Sequence, residues 1–356
     1  MKILVISNTI SNGGDFLVKR KSLYLINRYL GKESYDYYNL YSTDFEKVNI
    51  EKYSCIIYFG GPLYIDRLLE NIFSPIIDKI IEYKKKIFIL GCGWYGATDV
   101  PEIIYNYKFS EKSKKILDYI DTNGVLGCRD DLSVRVLKNN GYQNLIMTGC
   151  PVWYANLGLI KSTFSKIDKI AISDMGITKE KDLQDEKFMQ MVDVLSFLCE
   201  RFNDTQIIFT FNNGIETKYS AAFNNNVKEF LRNRKIEYYD LSNGDEGFKV
   251  YDDCDFHIGY RVHTHLYCLT RGIPSILICE DARGIGMNST LGFPIIKANA
   301  FDNGNYKNNP YLLKELDNEI DRLMKHCEYE MGRVGQLFAY YNNTNIKEFF
   351  DIIKDV

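Results

Sequence analysis

Four short clusters carry side chains able to do chemistry. The densest is Gly259-Tyr260-Arg261-Val262-His263-Thr264-His265, set between an apolar-flanked run, Phe256 to Ile258, and a helical-looking stretch, Leu266 to Leu269. That context puts Arg261 and His263 near a strand-to-helix transition. Backbone amides at a helix start favour an anion, a guanidinium grips carboxylate or phosphate with two prongs, and an imidazole moves a proton near neutral pH. Spacing leaves the alternative open: a structural ion pair at Arg261 and packing roles for the histidines. His263 and His265, at i and i+2, have no acidic or sulfur partner at metal-ligand spacing, so no metal is expected.

The second cluster is Asn12-Gly13-Gly14-Asp15, between the first strand and the first helix. Its glycines permit a ligand to approach backbone amides, or they form a tight turn with Asp15 as a helix cap. It lacks the full dinucleotide G-x-G-x-x-G pattern and the Walker lysine. Third is Arg129-Asp130-Asp131-Leu132-Ser133, a cation at a strand end with Ser133 early in the following helix; a solvated face is the competing reading. Fourth is Glu280-Asp281-Ala282-Arg283, where Arg283 is either an anion ligand or a partner for Glu280 or Asp281.

The elements that must position these clusters alternate between strand and helix. KILVIS, CIIYFGG and KIFILGCG are apolar runs ending in Asn or Gly, separated by helical spacing at 16–29 and 68–83, which predicts a parallel sheet buried on both faces. A weakly patterned hinge, Leu157 to Lys169, precedes a second series with strands at KIAISDM, QIIFTFNNG, IEYYDL and within 254–279. The expected fold is α/β, with two Rossmann-like doubly wound domains facing a cleft. The expected divisions are 1–160, 161–325 and a helical segment 326–356 that crosses back. In such folds ligands bind outside the carboxyl ends of the strands.

Composition narrows the function classes. With 44 basic and 47 acidic residues and no long single-sign block, neither a nucleic-acid nor a membrane footprint is visible. The start MKILVISNTI runs straight into a strand and lacks a signal-peptide pattern, and no apolar run has transmembrane length. Nine scattered cysteines form no disulfide framework, which leads to the expectation of a cytoplasmic protein with reduced thiols.

In order along the chain, these pieces resemble the polysaccharide pyruvyl transferase family. They are the Asn12–Asp15 loop, Gly60-Gly61, the Cys128–Ser133 turn, Gly149-Cys150-Pro151, the R-x-H of Arg261 and His263, and Arg271-Gly272-Ile273-Pro274. The chain departs from the family's usual residues at Cys150, Val262 and Arg283, and His265 is not required by the motif. The resemblance implies a GT-B-like fold and transfer of a pyruvyl group from phosphoenolpyruvate to two hydroxyls of a sugar. The product would be a pyruvate ketal on a cell-envelope or exported glycan, or on its precursor, lipid-linked or not; a lipid-linked acceptor would place the protein at the inner face of the membrane.

In that reading Arg261, His263 and Asp15 are catalytic, with His263 as proton carrier. Arg129 and Arg283 hold the donor, and Asn12, Gly13, Gly14, Ser133 and His265 complete substrate binding. Phosphoenolpyruvate is a substrate, and neither cofactor nor metal is expected. The alternative enzyme reading is a GT-B glycosyltransferase using a nucleotide sugar; a glycan-binding protein without turnover is the third.

Overall fold

The computed structural model describes residues 2–10, 12–42, 44–96, 100–154, 166–176, 181–216, 221–302 and 305–356. Its first sheet contains β1 (Ile3–Ser7), β2 (Tyr35–Asn39), β3 (Cys55–Phe59), the short β4 (Pro62–Tyr64), β5 (Lys86–Trp94), β6 (Gly124–Cys128) and β7 (Leu145–Ile146). They run in the order β2-β1-β3-β5-β6-β7, with β4 beside β5 and every pair parallel. The second sheet holds β8 (Lys169–Ser173), β9 (Gln206–Phe211), β10 (Glu237–Asp240), β11 (Phe256–Gly259), β12 (Ser275–Cys279) and β13 (Ile296–Lys297), ordered β10-β9-β8-β11-β12-β13 and again parallel.

The apolar runs explain this arrangement. All five residues of β1, of β3 and of β12 are buried, as expected of strands covered by helices on both faces. The covering helices are α1 (Gly13–Leu30), α2 (Asp66–Phe73), α3 (Ile77–Glu82), α4 (Pro101–Asn106), α5 (Glu111–Asn123), α6 (Asp131–Asn139), α7 (Lys181–Arg201), α8 (Ala221–Asn233), α9 (Val262–Thr270) and α10 (Ala282–Leu291). The helical spacing over 68–83 resolves into two pieces, α2 and α3, around Pro75. The edge strand β2 escaped the sequence reading because YDYYN has no apolar run; each of its residues is only half-buried.

Each sheet reverses its strand order once, and a topological switch point of this kind opens a crevice at the strands' carboxyl ends. In the first sheet the reversal lies between β1 and β3, in the second between β8 and β11. The segments that follow these four strands carry Asn12 to Asp15, at the start of α1, Gly60-Gly61, Asp174 and Arg261.

The chain then crosses back. In α11 (Leu312–Asn343), which is kinked at His326, Leu316, Ile320 and Leu323 pack into the second domain's core, while Met331, Val334 and Phe338 join a core shared with α1 and β5. Helix α12 (Asn345–Lys354) continues it: Phe350 stacks on Tyr29 at 4.7 Å between ring centroids, and Phe349 meets Phe88 edge-on at 6.2 Å. Burying each ring contributes about 1.5–3 kcal/mol. The expected hinge falls mostly on 155–165, outside the described residues.

Candidate active site

Arg261 leaves β11 in an extended conformation as the N-cap of α9. Its guanidinium donates from Nε and Nη2 to the two oxygens of Asp174, both at 2.7 Å, and from Nη2 to the Met175 carbonyl at 2.8 Å. Burial works against the charge of Arg261, but Asp174 holds it more firmly protonated than usual. The Asp174 carboxylate also accepts the Asn212 backbone N–H at 3.1 Å. Asp174 and Asn212 follow the carboxyl ends of β8 and β9, so sheet pairing fixes the arginine's posture.

Arg129 comes from the first domain and is 1% exposed. It donates twice, at 3.1 Å, to Oδ2 of Asp130, whose Oδ1 caps α6 through the Ser133 N–H at 2.9 Å. The solvated-face reading of this cluster is therefore corrected. Ser133 is fully buried; its hydroxyl donates to Asp130 at 2.7 Å and accepts the Trp94 N–H at 2.7 Å, so it braces Asp130 and does not face the cavity. A Cβ on Gly93 would lie 2.5 Å from Arg129 Nη2, so this glycine makes room for the guanidinium.

Arg283, in the first turn of α10, donates from Nε to Asp281 at 2.9 Å and lies over the Tyr95 ring at 4.6 Å. Asp281, rather than Glu280, is its partner. Glu280 instead accepts from Lys187 Nζ at 2.9 Å and from the Gly176 N–H at 2.7 Å. Trp94 is buried against Tyr107, leaving Tyr95 as the more accessible ring of that pair.

The loop after β1 behaves differently from a phosphate cradle. The Gly13 N–H donates to the Asn212 carbonyl at 3.1 Å across the domains, and the Gly14 N–H is capped by Asn12 Oδ1 at 2.7 Å. Neither amide is left for a ligand. The glycines are needed for space: a Cβ on Gly14 would lie 2.5 Å from His263 Nδ1, and one on Gly13 would strike the Leu241 carbonyl. Asn12 further meets Asn213 of the second domain.

These residues surround a cavity of about 210 Å³ lined by Asn12, Gly14, Asp15, Pro62, Arg129, Asn212, Tyr260, Arg261, Val262, His263, Glu280 and Arg283. Burial raises the Asp15 carboxyl to about 6 against the opposing pull of Arg283, Arg261 and Arg129. Burial, reinforced by the same three arginines, lowers His263 to about 3, so the ordinary value near 6.5 expected for it does not hold here. Its Nε2 is buried without a hydrogen-bond partner. The site thus joins three fixed cations, a carboxyl that titrates near neutrality and a neutral imidazole.

His265 does not line this cavity. Its Nδ1 lies 2.8 Å from Ser275 Oγ, which also meets His257 Nδ1 at 2.7 Å, and His257 Nε2 lies 3.0 Å from Ser173 Oγ. It belongs to a buried polar chain beneath the site. Asp174, Asn212 and Lys187 were missed by sequence reasoning; Asp174 and Asn212 carried one signal, their position just past strand ends, whereas Lys187 lies within α7 and carried none. Among the described residues no group of three or more His, Cys, Asp or Glu side chains could hold a metal ion.

Two doubly wound domains with facing switch points define the GT-B class of fold, and solved structures agree. S. aureus MnaA in complex with UDP aligns over 96% of this chain and 97% of its own, with TM-score 0.54 at 10% identity. Trehalose-6-phosphate synthase OtsA aligns over 100% and 98%, with TM-score 0.53 at 11% identity. A putative UDP-N-acetylglucosamine 2-epimerase from Listeria monocytogenes aligns over 94% and 91%, with TM-score 0.52 at 10% identity. Identities this low speak to fold alone. The chain itself belongs to the polysaccharide pyruvyl transferase family, whose model matches residues 10–279. No curated protein sequence matches it significantly. No helix of the described residues is long and apolar enough to cross a membrane.

Proposed function

We propose that this transferase-family protein moves the pyruvyl group of phosphoenolpyruvate onto two hydroxyls of a sugar, forming a pyruvate ketal on a cell-envelope or exported glycan or its precursor. The observation that carries this reading is the convergence of Arg129, Arg261 and Arg283, from both domains, on a cavity of about 210 Å³. Phosphoenolpyruvate carries a carboxylate and a phosphate in three carbons, and guanidiniums already oriented by Asp130, Asp174 and Asp281 suit both groups. The cavity is smaller than the roughly 300–1,000 Å³ typical of pockets for larger ligands, which disfavours a nucleotide sugar as donor.

In this reading Asp15, carrying a proton at neutral pH more readily than an ordinary aspartate, protonates the methylene carbon of the donor. The adjacent carbon becomes oxocarbenium-like, and a sugar hydroxyl attacks it while His263 Nε2 accepts the hydroxyl proton. The C–O bond to phosphate then breaks, and the second hydroxyl closes the ketal. Of the two hydroxyl protons, one replaces the proton given to carbon and the other leaves with phosphate. The arginines stabilise the departing phosphate, so neither metal nor cofactor enters the scheme.

The test is a reaction of purified protein with phosphoenolpyruvate and a panel of glycans, followed by phosphorus and proton NMR. Acceptor-dependent phosphate release with a new ketal methyl signal is expected. Consumption of a nucleotide sugar with phosphoenolpyruvate untouched would overturn the proposal.

A further inference from the structure

A second cavity, of about 600 Å³, is lined by residues of both domains. Two dipeptides, one from each domain, form the partition. Asp15 faces the arginine cavity and Phe16 the second; Asn212 faces the first and Asn213 the second. The Asn12–Asn213 contact joins the lining of the smaller cavity to that of the larger one.

The two cavities differ in charge. Three arginines line the first, whereas the described lining of the second carries the carboxylates of Glu216 and Asp240, and Arg261 approaches it only from behind Asn213, whose amide oxygen accepts from the guanidinium at 3.2 Å. Asp240 is held ionised below the usual carboxylate range: burial opposes this, but the Ile215 N–H and the N–H and hydroxyl of Ser242 donate to it and prevail. Asn213 and Ser242 add neutral polar groups, and half-buried Phe16 adds an aromatic surface. The two carboxylates of the described lining disfavour a bound phosphate. A pyranose ring fits the chemistry, because its C–H face packs on an aromatic ring while its hydroxyls donate to carboxylates and amides.

We infer that this second cavity is the acceptor site, and that it takes an uncharged hexopyranosyl unit whose reacting hydroxyls pass the Asn12–Asn213 wall toward Asp15. The inference rests on the donor assignment for the arginine cavity, and it assigns the acceptor's charge class, which that reading leaves open.

The experiment presents fluorescently labelled protein, with saturating phosphoenolpyruvate, to an array of neutral, N-acetylated, carboxylated and phosphorylated saccharides. Phosphoenolpyruvate affinity is measured in parallel by calorimetry. Neutral or N-acetylated hexopyranosides are expected to be retained. Phe16→Ala, which removes the platform, and Ser242→Trp, which fills the cavity, are each expected to weaken retention by about tenfold or more while phosphoenolpyruvate affinity stays within about twofold. Retention of phosphorylated saccharides alone, retention indifferent to both variants, or no retention while phosphoenolpyruvate binds would each overturn the acceptor assignment and leave the donor reading standing. Glycan retention sensitive to both variants, with no phosphoenolpyruvate binding, would uphold the cavity and sink the donor.

Discussion

Arg129 and Arg261 enter one cavity from opposite domains, and each is paired with an aspartate, yet they are held by different parts of the fold. Asp130 is the chain neighbour of Arg129, and its second oxygen caps α6, so this posture is complete once β6 and α6 form. Asp174 stands 87 positions before Arg261 and reaches it only when β8 pairs with β11. Asp174 also accepts the Asn212 N–H, and the Asn212 carbonyl accepts the Gly13 N–H of the first domain. The first arginine is set locally, whereas the second is tied to closure of one domain on the other.

Removing each aspartate breaks this contrast most sharply. Asp130→Ala leaves a buried guanidinium unpaired and uncaps α6, for a loss on the order of 4–6 kcal/mol. Asp174→Ala leaves Arg261 unpaired, for about 3–5 kcal/mol. Urea denaturation reads both losses. Small-angle scattering separates the two sites, because only the Asp174 variant is expected to populate a more open arrangement. Equal opening in both variants would contradict the distinction.

Next in size is Asp15→Asn. The folded carboxyl is raised from 3.8 to about 6, so the wild type carries a penalty that is absent below pH 3.8, grows between 3.8 and 6 and is constant above. The variant should be more stable by roughly 3 kcal/mol at pH 7, equal to wild type near pH 3, and devoid of turnover. The histidines act in the opposite sense. His263 and His265 are lowered to about 3, so their contribution is full above pH 6.5 and is lost as pH falls from 6.5 toward 3. Denaturant midpoints at pH 7.5 and 5 check that sign.

Smaller effects test the packing between the domains. Gly14→Ala should displace His263 and cost about 1–3 kcal/mol, with turnover reduced more than donor affinity. Thr290→Val removes the acceptor for the Asp131 N–H, 2.9 Å away across the domains, and should cost about 1 kcal/mol in thermal or urea unfolding.

The same contrast explains what the sequence made legible. Arg129, Asp130 and Ser133 form one contiguous turn, and Arg261 and His263 one contiguous loop at a strand end, so their clustering could be read directly. Asp174, Asn212 and Lys187 join the site through strand register and helix packing, which periodicity does not encode. The α/β alternation and the facing domains were readable from buried apolar runs, whereas β2, with its tyrosines and aspartate, was not. Gly13 and Gly14 were read either as offering amides or as a tight turn with Asp15 as helix cap; the structure uses them to admit the Leu241 carbonyl and His263, and the cap is Asn12. His265 shared the motif's spacing, yet helix rotation turns it toward Ser275 and Phe293.

Whether the arginine cavity binds a three-carbon phosphate is read by calorimetric titration with phosphoenolpyruvate in buffers of different ionisation enthalpy. Saturable binding with proton uptake near neutral pH is expected, as the anion raises the proton affinity of Asp15, together with loss of binding in Arg261→Ala. Binding of a uridine-diphosphate sugar with no response to phosphoenolpyruvate would contradict the donor assignment.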